Sequence, residues 1–180
     1  MRLFLTVNMD PDVKEEVFKQ IPAFKTIVKS GRWVAKENLH ITMLFLGEVE
    51  KEKLTLVEGV MNKAVKGIDP FNLWIEGIGT FPNEKRPNVL WAGVKGDILE
   101  LNSLYYQLVA EIGKTELPFD AKPKYTPHVT LARKIDVFPA GVELKTKGWQ
   151  VNSLELYQST FVPGGVKYQR ILEKKFNGKE

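Results

Sequence analysis

The chain uses histidine twice, each time in the same local pattern: His40-Ile41-Thr42-Met43 and, 88 positions later, His128-Val129-Thr130-Leu131. This repetition constrains the fold more than any other feature, because 88 is close to half of the 180 residues. Each motif lies in a short apolar run bounded by turn residues, LHITMLFL before Gly47 and HVTLAR after Pro127, and each run reads as a β-strand. Side chains two apart on a strand point to the same face. His40 and Thr42 therefore project together, as do His128 and Thr130. Ile41, Met43, Val129 and Leu131 point the other way, into a core. With ten threonines in the chain, both histidines acquire Thr two residues on by accident only roughly three times in a thousand.

The sequence around the two motifs repeats the same plan. Residues 2–8 read as a strand. Asp10 and Pro11 then open a helix as N-cap and first helical residue, and Pro22 is predicted to end or kink it. A second helix is predicted over 51–66, with Leu54, Val57, Val60, Met61 and Val65 at helical spacing. Strands follow at 71–81 and 89–94, separated by the turn-rich PNEKRPN. A helix over 97–114 then carries Leu101, Leu104, Tyr105, Leu108 and Ile112. A loop at 118–127 leads into the second motif. Residues 134–147 carry Pro139 and Gly141 and are less clearly helical, and 149–161 and 166–176 close as a hairpin around Pro163-Gly164-Gly165. The expected architecture is α+β: one bilobal domain over 1–180, internally duplicated at roughly 1–88 and 89–180. Each lobe is a mostly antiparallel sheet with helices on its outer face, and the HxT strands face a central cleft.

Composition removes whole classes of chemistry. The absence of cysteine excludes disulfides, thiolate nucleophiles and cysteine-ligated zinc or iron–sulfur sites. No run approaches the ~20 apolar residues of a membrane span, and the opening MRLFLTVNMD is too short for a signal segment, so the expectation is a cytoplasmic monomer with no membrane partner. A net charge of +4 is compatible with a polyanionic partner such as RNA, but on charge alone a solvated lysine-rich surface is the stronger reading. Two histidines without an HxxxH pair or clustered carboxylates make a poor zinc site, and GIGTF lacks the lysine of a phosphate-binding loop. Neither metal nor nucleotide cofactor is expected.

Two imidazoles and two hydroxyls around one cleft have a definite chemical use. Histidine titrates near neutrality, so one ring can accept a proton while the other donates one. Hydrolysis of a cyclic phosphodiester needs both acts, each worth roughly a hundred- to ten-thousand-fold in rate. Threonine hydroxyls can hold the non-bridging phosphate oxygens. Arg133 shares the strand of His128, but five residues along gives it the opposite alternation, so it is a candidate substrate-binding residue that touches phosphate only if the strand bends; Phe45, with the same parity problem relative to His40, is expected in the core. Arg86, Lys85, Lys122 and Lys124 offer basic loops for an RNA backbone, Tyr125 a stacking face, and Trp33 a place in or beneath the groove.

WVAKENLHITMLFLGEV, FPNEKRPNVLWAGV and YTPHVTLAR together resemble the paired HxTx motifs of the two-histidine phosphoesterase superfamily. The similarity is closest to its RNA 2′,3′-cyclic phosphodiesterase branch, the 2′-5′ RNA ligase-like proteins, and covers nearly the whole chain. The resemblance implies His40 as proton donor to the leaving 3′ oxygen and His128 as proton acceptor from water, with Thr42 and Thr130 beside them. The implied substrate is RNA with a 2′,3′-cyclic phosphate end, or a cyclic nucleotide, and the product is a 2′-phosphomonoester. Rival readings are reversible 2′-5′ RNA ligation, a 2′-5′ oligonucleotide phosphodiesterase, and a module that binds RNA ends or nucleotides without turnover.

Overall fold

The structure, a computed structural model, describes residues 1–178, so the last two residues of the expected 1–180 domain lie outside it. Nine strands and three helices follow in the order β1 (Arg2–Val7), α1 (Pro11–Lys25), β2 (Arg32–Trp33), β3 (Ile41–Glu48), α2 (Leu54–Val65), β4 (Phe71–Asn83), β5 (Arg86–Gly96), α3 (Ile98–Ile112), β6 (His128–Arg133), β7 (Trp149–Val151), β8 (Ser153–Val162) and β9 (Gly165–Lys175). Short 3-10 turns at Lys36–Asn38 and Lys51–Lys53 precede β3 and α2.

The helices form where apolar residues recur at helical spacing. Val13, Val17, Ile21 and Phe24 make the buried stripe of α1, and Leu101, Leu104, Tyr105, Leu108 and Ile112 that of α3. Asp10 opens α1 through its backbone carbonyl, which accepts from the N–H groups of Val13 and Lys14 at 3.0 and 3.1 Å, and not through its side chain. Pro22 does not end this helix, which runs on to Lys25. Phe24 is wholly buried one residue before the end, and that burial holds the last turn despite the missing N–H. PNEKRPN is a tighter turn than its composition suggests. Asn83 Oδ1 accepts from the N–H groups of Lys85 and Arg86 at 3.0 and 3.1 Å, and the strands extend to within two residues of each other. Residues 134–147 form no helix.

All strand pairs are antiparallel and join into one sheet of order β7-β4-β5-β6-β3-β1-β8-β9, with β2 added beside β6. The two motif strands meet at its centre through a single pair, Ile41 opposite Val129. The expected cut near residue 88 is not how the strands are distributed. β4 leaves the first half to pair with β5, and β8 leaves the second half to pair with β1. Each flank therefore draws strands from both halves of the chain. Beyond the central pair the motif strands diverge, and each is covered by the segment that precedes the other. β2 lies on β6, where Val34 N–H donates to the Leu131 carbonyl at 2.9 Å, and the 118–127 loop lies on β3, where Asp120 N–H donates to the Phe45 carbonyl at 2.8 Å.

One hydrophobic core contains the helix stripes together with Ile41, Met43, Val129 and Leu131. The helices thus cover the sheet face opposite the histidines and leave the His/Thr face open.

Candidate active site

The open face carries a cleft of about 970 Å³ whose lining includes His40, Thr42, His128 and Thr130. The four motif side chains expected to converge do converge. Each imidazole is oriented in the same way. His40 Nδ1 lies 2.7 Å from the carbonyl of Asn38 and His128 Nδ1 lies 2.7 Å from the carbonyl of Thr126, in both cases two residues upstream. A carbonyl only accepts, so Nδ1 carries the hydrogen in both rings and Nε2 is left to accept when the ring is neutral. His40 Nε2 sits 2.8 Å from Thr42 Oγ1, which donates to it. Among the described residues, no hydrogen bond engages His128 Nε2, which is free for a water.

Aromatic side chains hold both rings from the flanking strands. Phe4 and Tyr168 pack against His40 with centroids 5.0 and 5.2 Å away, and Phe81 and Trp91 pack against His128 at 5.1 and 6.0 Å. This packing restricts rotation about χ2 and removes water from one side of each imidazole. Burial is the main cause that lowers the His40 pKa to about 4, with the cations of Lys14, His128 and Arg133 adding to it against the pull of the Asn38 carbonyl. His128 is also lowered, first by burial and then by Arg133.

Arg133 lines the cleft despite its sequence parity, and a β-bulge is the reason. Trp91 pairs with Thr130 while Leu90 pairs with Ala132, so Leu131 is an extra residue on β6. The side-chain alternation restarts after it and turns Arg133 to the face of His128. The same device operates on β3. Thr6 pairs with Thr42 and Leu5 with Leu44, leaving Met43 as the extra residue, so Phe45 joins His40 in the cleft, where the Arg2 guanidinium lies 5.5 Å from its ring. The bulge is the bend on which the candidacy of Arg133 depended, and the expectation of Phe45 in the core is corrected.

Tyr125 also lines the cleft, but one face of its ring is occupied. It stacks on Tyr105 with centroids 4.2 Å apart and 7° between planes, and its hydroxyl donates to the Thr42 carbonyl at 2.9 Å. The expectation of a free stacking face is corrected accordingly. Lys122 and Lys124 reach the cleft rim, Lys122 paired with Asp120 at 2.8 Å, whereas Lys85 and Arg86 sit at the exposed tip of the β4–β5 turn outside the lining. Trp33 packs against the core beneath Lys25 and is not part of the lining. Sequence reasoning did not find Phe4, Phe81 and Tyr168; each is one aromatic residue within a strand with nothing local to mark it. Among the described residues, no group of three or more His, Asp or Glu side chains is placed to hold a metal ion. No helix among them is long and apolar enough to cross a membrane.

The LigT like Phosphoesterase family model matches residues 10–91, a span that includes the first motif and ends before the second. An RNA 2′,3′-cyclic phosphodiesterase of Methanocaldococcus jannaschii is 33% identical over 185 residues, which cover 96% of this chain and 99% of that protein. One of Thermotoga maritima is 28% identical over 99% of this chain and 97% of its own length. The crystal structure of TT0787 of Thermus thermophilus superposes over 100% of both chains with a TM-score of 0.86 at 26% identity. On these similarities, and on two HxT strands that meet at one cleft, the chain belongs to the LigT-like phosphoesterase family.

Proposed function

We propose that the chain hydrolyses RNA 2′,3′-cyclic phosphodiester ends to 2′-phosphomonoesters by acid–base catalysis between its two histidines. The observation that carries this is the pair of Nδ1-anchored imidazoles whose Nε2 edges meet one shared cleft, that of His128 without a protein partner and that of His40 beside the Thr42 hydroxyl. The names of the M. jannaschii and T. maritima relatives support the substrate class. In this reading residues 1–180 act as one bilobal unit.

His128 Nε2, free of protein partners, accepts a proton from water as the water oxygen attacks phosphorus. The bond from phosphorus to the 3′ oxygen breaks, and His40, acting as the imidazolium, gives the proton on its Nε2 to that oxygen and becomes neutral. The product carries a 2′-phosphate and a 3′-hydroxyl. Thr42, Thr130 and the Arg133 guanidinium face the non-bridging oxygens, where charge accumulates in the transition state. Both proton transfers belong to side chains, so turnover is independent of metal.

The test is to incubate the protein, with EDTA present, with an oligonucleotide ending in a 2′,3′-cyclic phosphate and to identify the product. A 2′-phosphate is expected. A 3′-phosphate reverses the assignment of the leaving oxygen, no turnover leaves a binding module, and turnover lost with EDTA removes the metal-independent mechanism. His40→Ala and His128→Ala are each expected to cost several orders of magnitude in kcat with the fold retained.

A further inference from the structure

Tyr125 belongs to neither HxT motif, yet it touches the supports of both. It directly precedes Thr126, whose carbonyl holds His128 Nδ1 at 2.7 Å. Its hydroxyl reaches across the cleft floor to the Thr42 carbonyl at 2.9 Å and lies 3.3 Å from Met43 Sδ, at the bulge of the other motif strand. Thr42 in turn holds His40 Nε2 through its own hydroxyl at 2.8 Å. The ring of Tyr125 is set by stacking on Tyr105 of α3. Tyr105 is almost fully buried, and its hydroxyl accepts from Lys122 N–H at 3.0 Å.

We propose that Tyr125 is a positioning residue that fixes the two His/Thr pairs relative to each other, a side-chain strap across the line where β3 and β6 stop pairing. The proposal rests on the reading of His40 and His128 as acid and base. The need for a strap follows from the topology. The motif strands share only the pair Ile41–Val129, so beyond it no ladder sets the spacing of the imidazoles. On the β6 side the backbone of β2 supplies the missing tie. On the β3 side the Tyr125 hydroxyl and the Asp120 N–H supply it. Burial pushes the Tyr125 pKa upward, so the phenol keeps its proton and remains a donor around neutral pH. Acid–base catalysis across one phosphorus is sensitive to this spacing, since a displacement of about 1 Å costs on the order of a hundredfold in rate.

The test uses Tyr125→Phe, which removes one oxygen and keeps the stacked ring. At saturating cyclic-phosphate oligonucleotide, kcat is expected to fall about tenfold with KM within about twofold, the pattern of lost alignment and not of lost binding. The chain holds only two histidines, so ring 15N NMR reads each one separately. The ring signals of both are expected to shift, because the strap ends on the supports of both. An unchanged kcat overturns the proposal. So does a fall in kcat in which only the His128 signals move, because that is the signature of a loosened loop. If Tyr125→Phe does not fold, Tyr105→Phe takes its place. It frees the Lys122 N–H and leaves both rings, and the proposal falls if kcat and both histidine signals stay at wild-type values. If the wild-type chain turns over no cyclic phosphate, the proposed function fails. The paired ring signals then still decide whether the strap exists.

Discussion

The proposed role of His40 as general acid requires a protonated ring at the working pH, and burial keeps the ring largely neutral in the ligand-free protein. A ring that titrates near 4 is protonated about once in a thousand molecules at pH 7. Its causes are structural: burial comes first, helped by the cations of Lys14, His128 and Arg133. The substrate itself brings the opposing charge. A phosphate anion about 4 Å from the imidazole, at an effective dielectric of ~20, favours the charged ring by about 4 kcal/mol, or roughly 3 in pKa. That brings His40 to near 7, where it can donate. The expected result is therefore a large upward movement of one histidine on ligand binding. It is measured by titrating the two ring 15N and 1H sets from pH 8 to pH 4, first without ligand and then saturated with 2′-AMP, the simplest 2′-phosphomonoester. In the free protein one set titrates near 4 and the other also below the ordinary 6.5. With 2′-AMP bound, the His40 midpoint rises by about two to three pH units. A free-protein midpoint near 6.5, or one that 2′-AMP leaves in place, refutes the reasoning. In either case the proton would have to come from elsewhere.

The same depressed pKa has a stability consequence. The unfolded chain protonates its histidine near 6.5 and the folded chain only near 4, so this contribution is full above 6.5, erodes as pH falls through that window, and is lost below 4. Its whole range is about 3 kcal/mol, so urea melts should show the stability gap between wild type and His40→Gln changing by about 2 kcal/mol from pH 7 to pH 4.5, and parallel pH curves count against it. Arg133→Ala is expected to raise KM for a cyclic-phosphate oligonucleotide about tenfold or more and to raise both histidine midpoints, because a cation near both rings is removed; steady-state kinetics and the same NMR titration check the two halves. Gly79→Ala places a methyl group into the indole of Trp91, which packs on His128, so it should cost about 1–3 kcal/mol in denaturant and lower kcat. Wild-type kcat in a destabilised Gly79→Ala would separate the Trp91 packing from His128.

The sequence carried the candidate site because two titrating groups with flanking hydroxyls leave a local mark: histidine and threonine two apart, twice, on strands. It carried the three helices because their buried stripes recur at a fixed period. The exchange of β4 and β8 between flanks was not readable, because strand pairing is set by contacts between residues far apart in the chain and no local pattern encodes which neighbour a strand takes. Phe4, Phe81 and Tyr168 were missed for the same reason: they become neighbours of the imidazoles only once the sheet has formed.

Phe45, and the bend on which the candidacy of Arg133 depended, went unread for a different and instructive reason. Alternation with period two holds only while a strand is regular, and a bulge consumes one residue without advancing the partner. Both motif strands bulge at the residue after the threonine, Met43 on β3 and Leu131 on β6. The bulge leaves a trace in the burial of each strand: Met43 and Leu44 are both buried, as are Leu131 and Ala132, although neighbours on a regular half-exposed strand should alternate. That trace was already present in the sequence as two successive apolar residues after each His-x-Thr. Read as a break in period, the doubled apolar step turns the residue five places past each histidine back to the cleft. The fourth position of each motif is therefore more than core filling. It is the extra residue that lets one strand present a histidine, a threonine and, beyond the bulge, a third side chain to the same cleft.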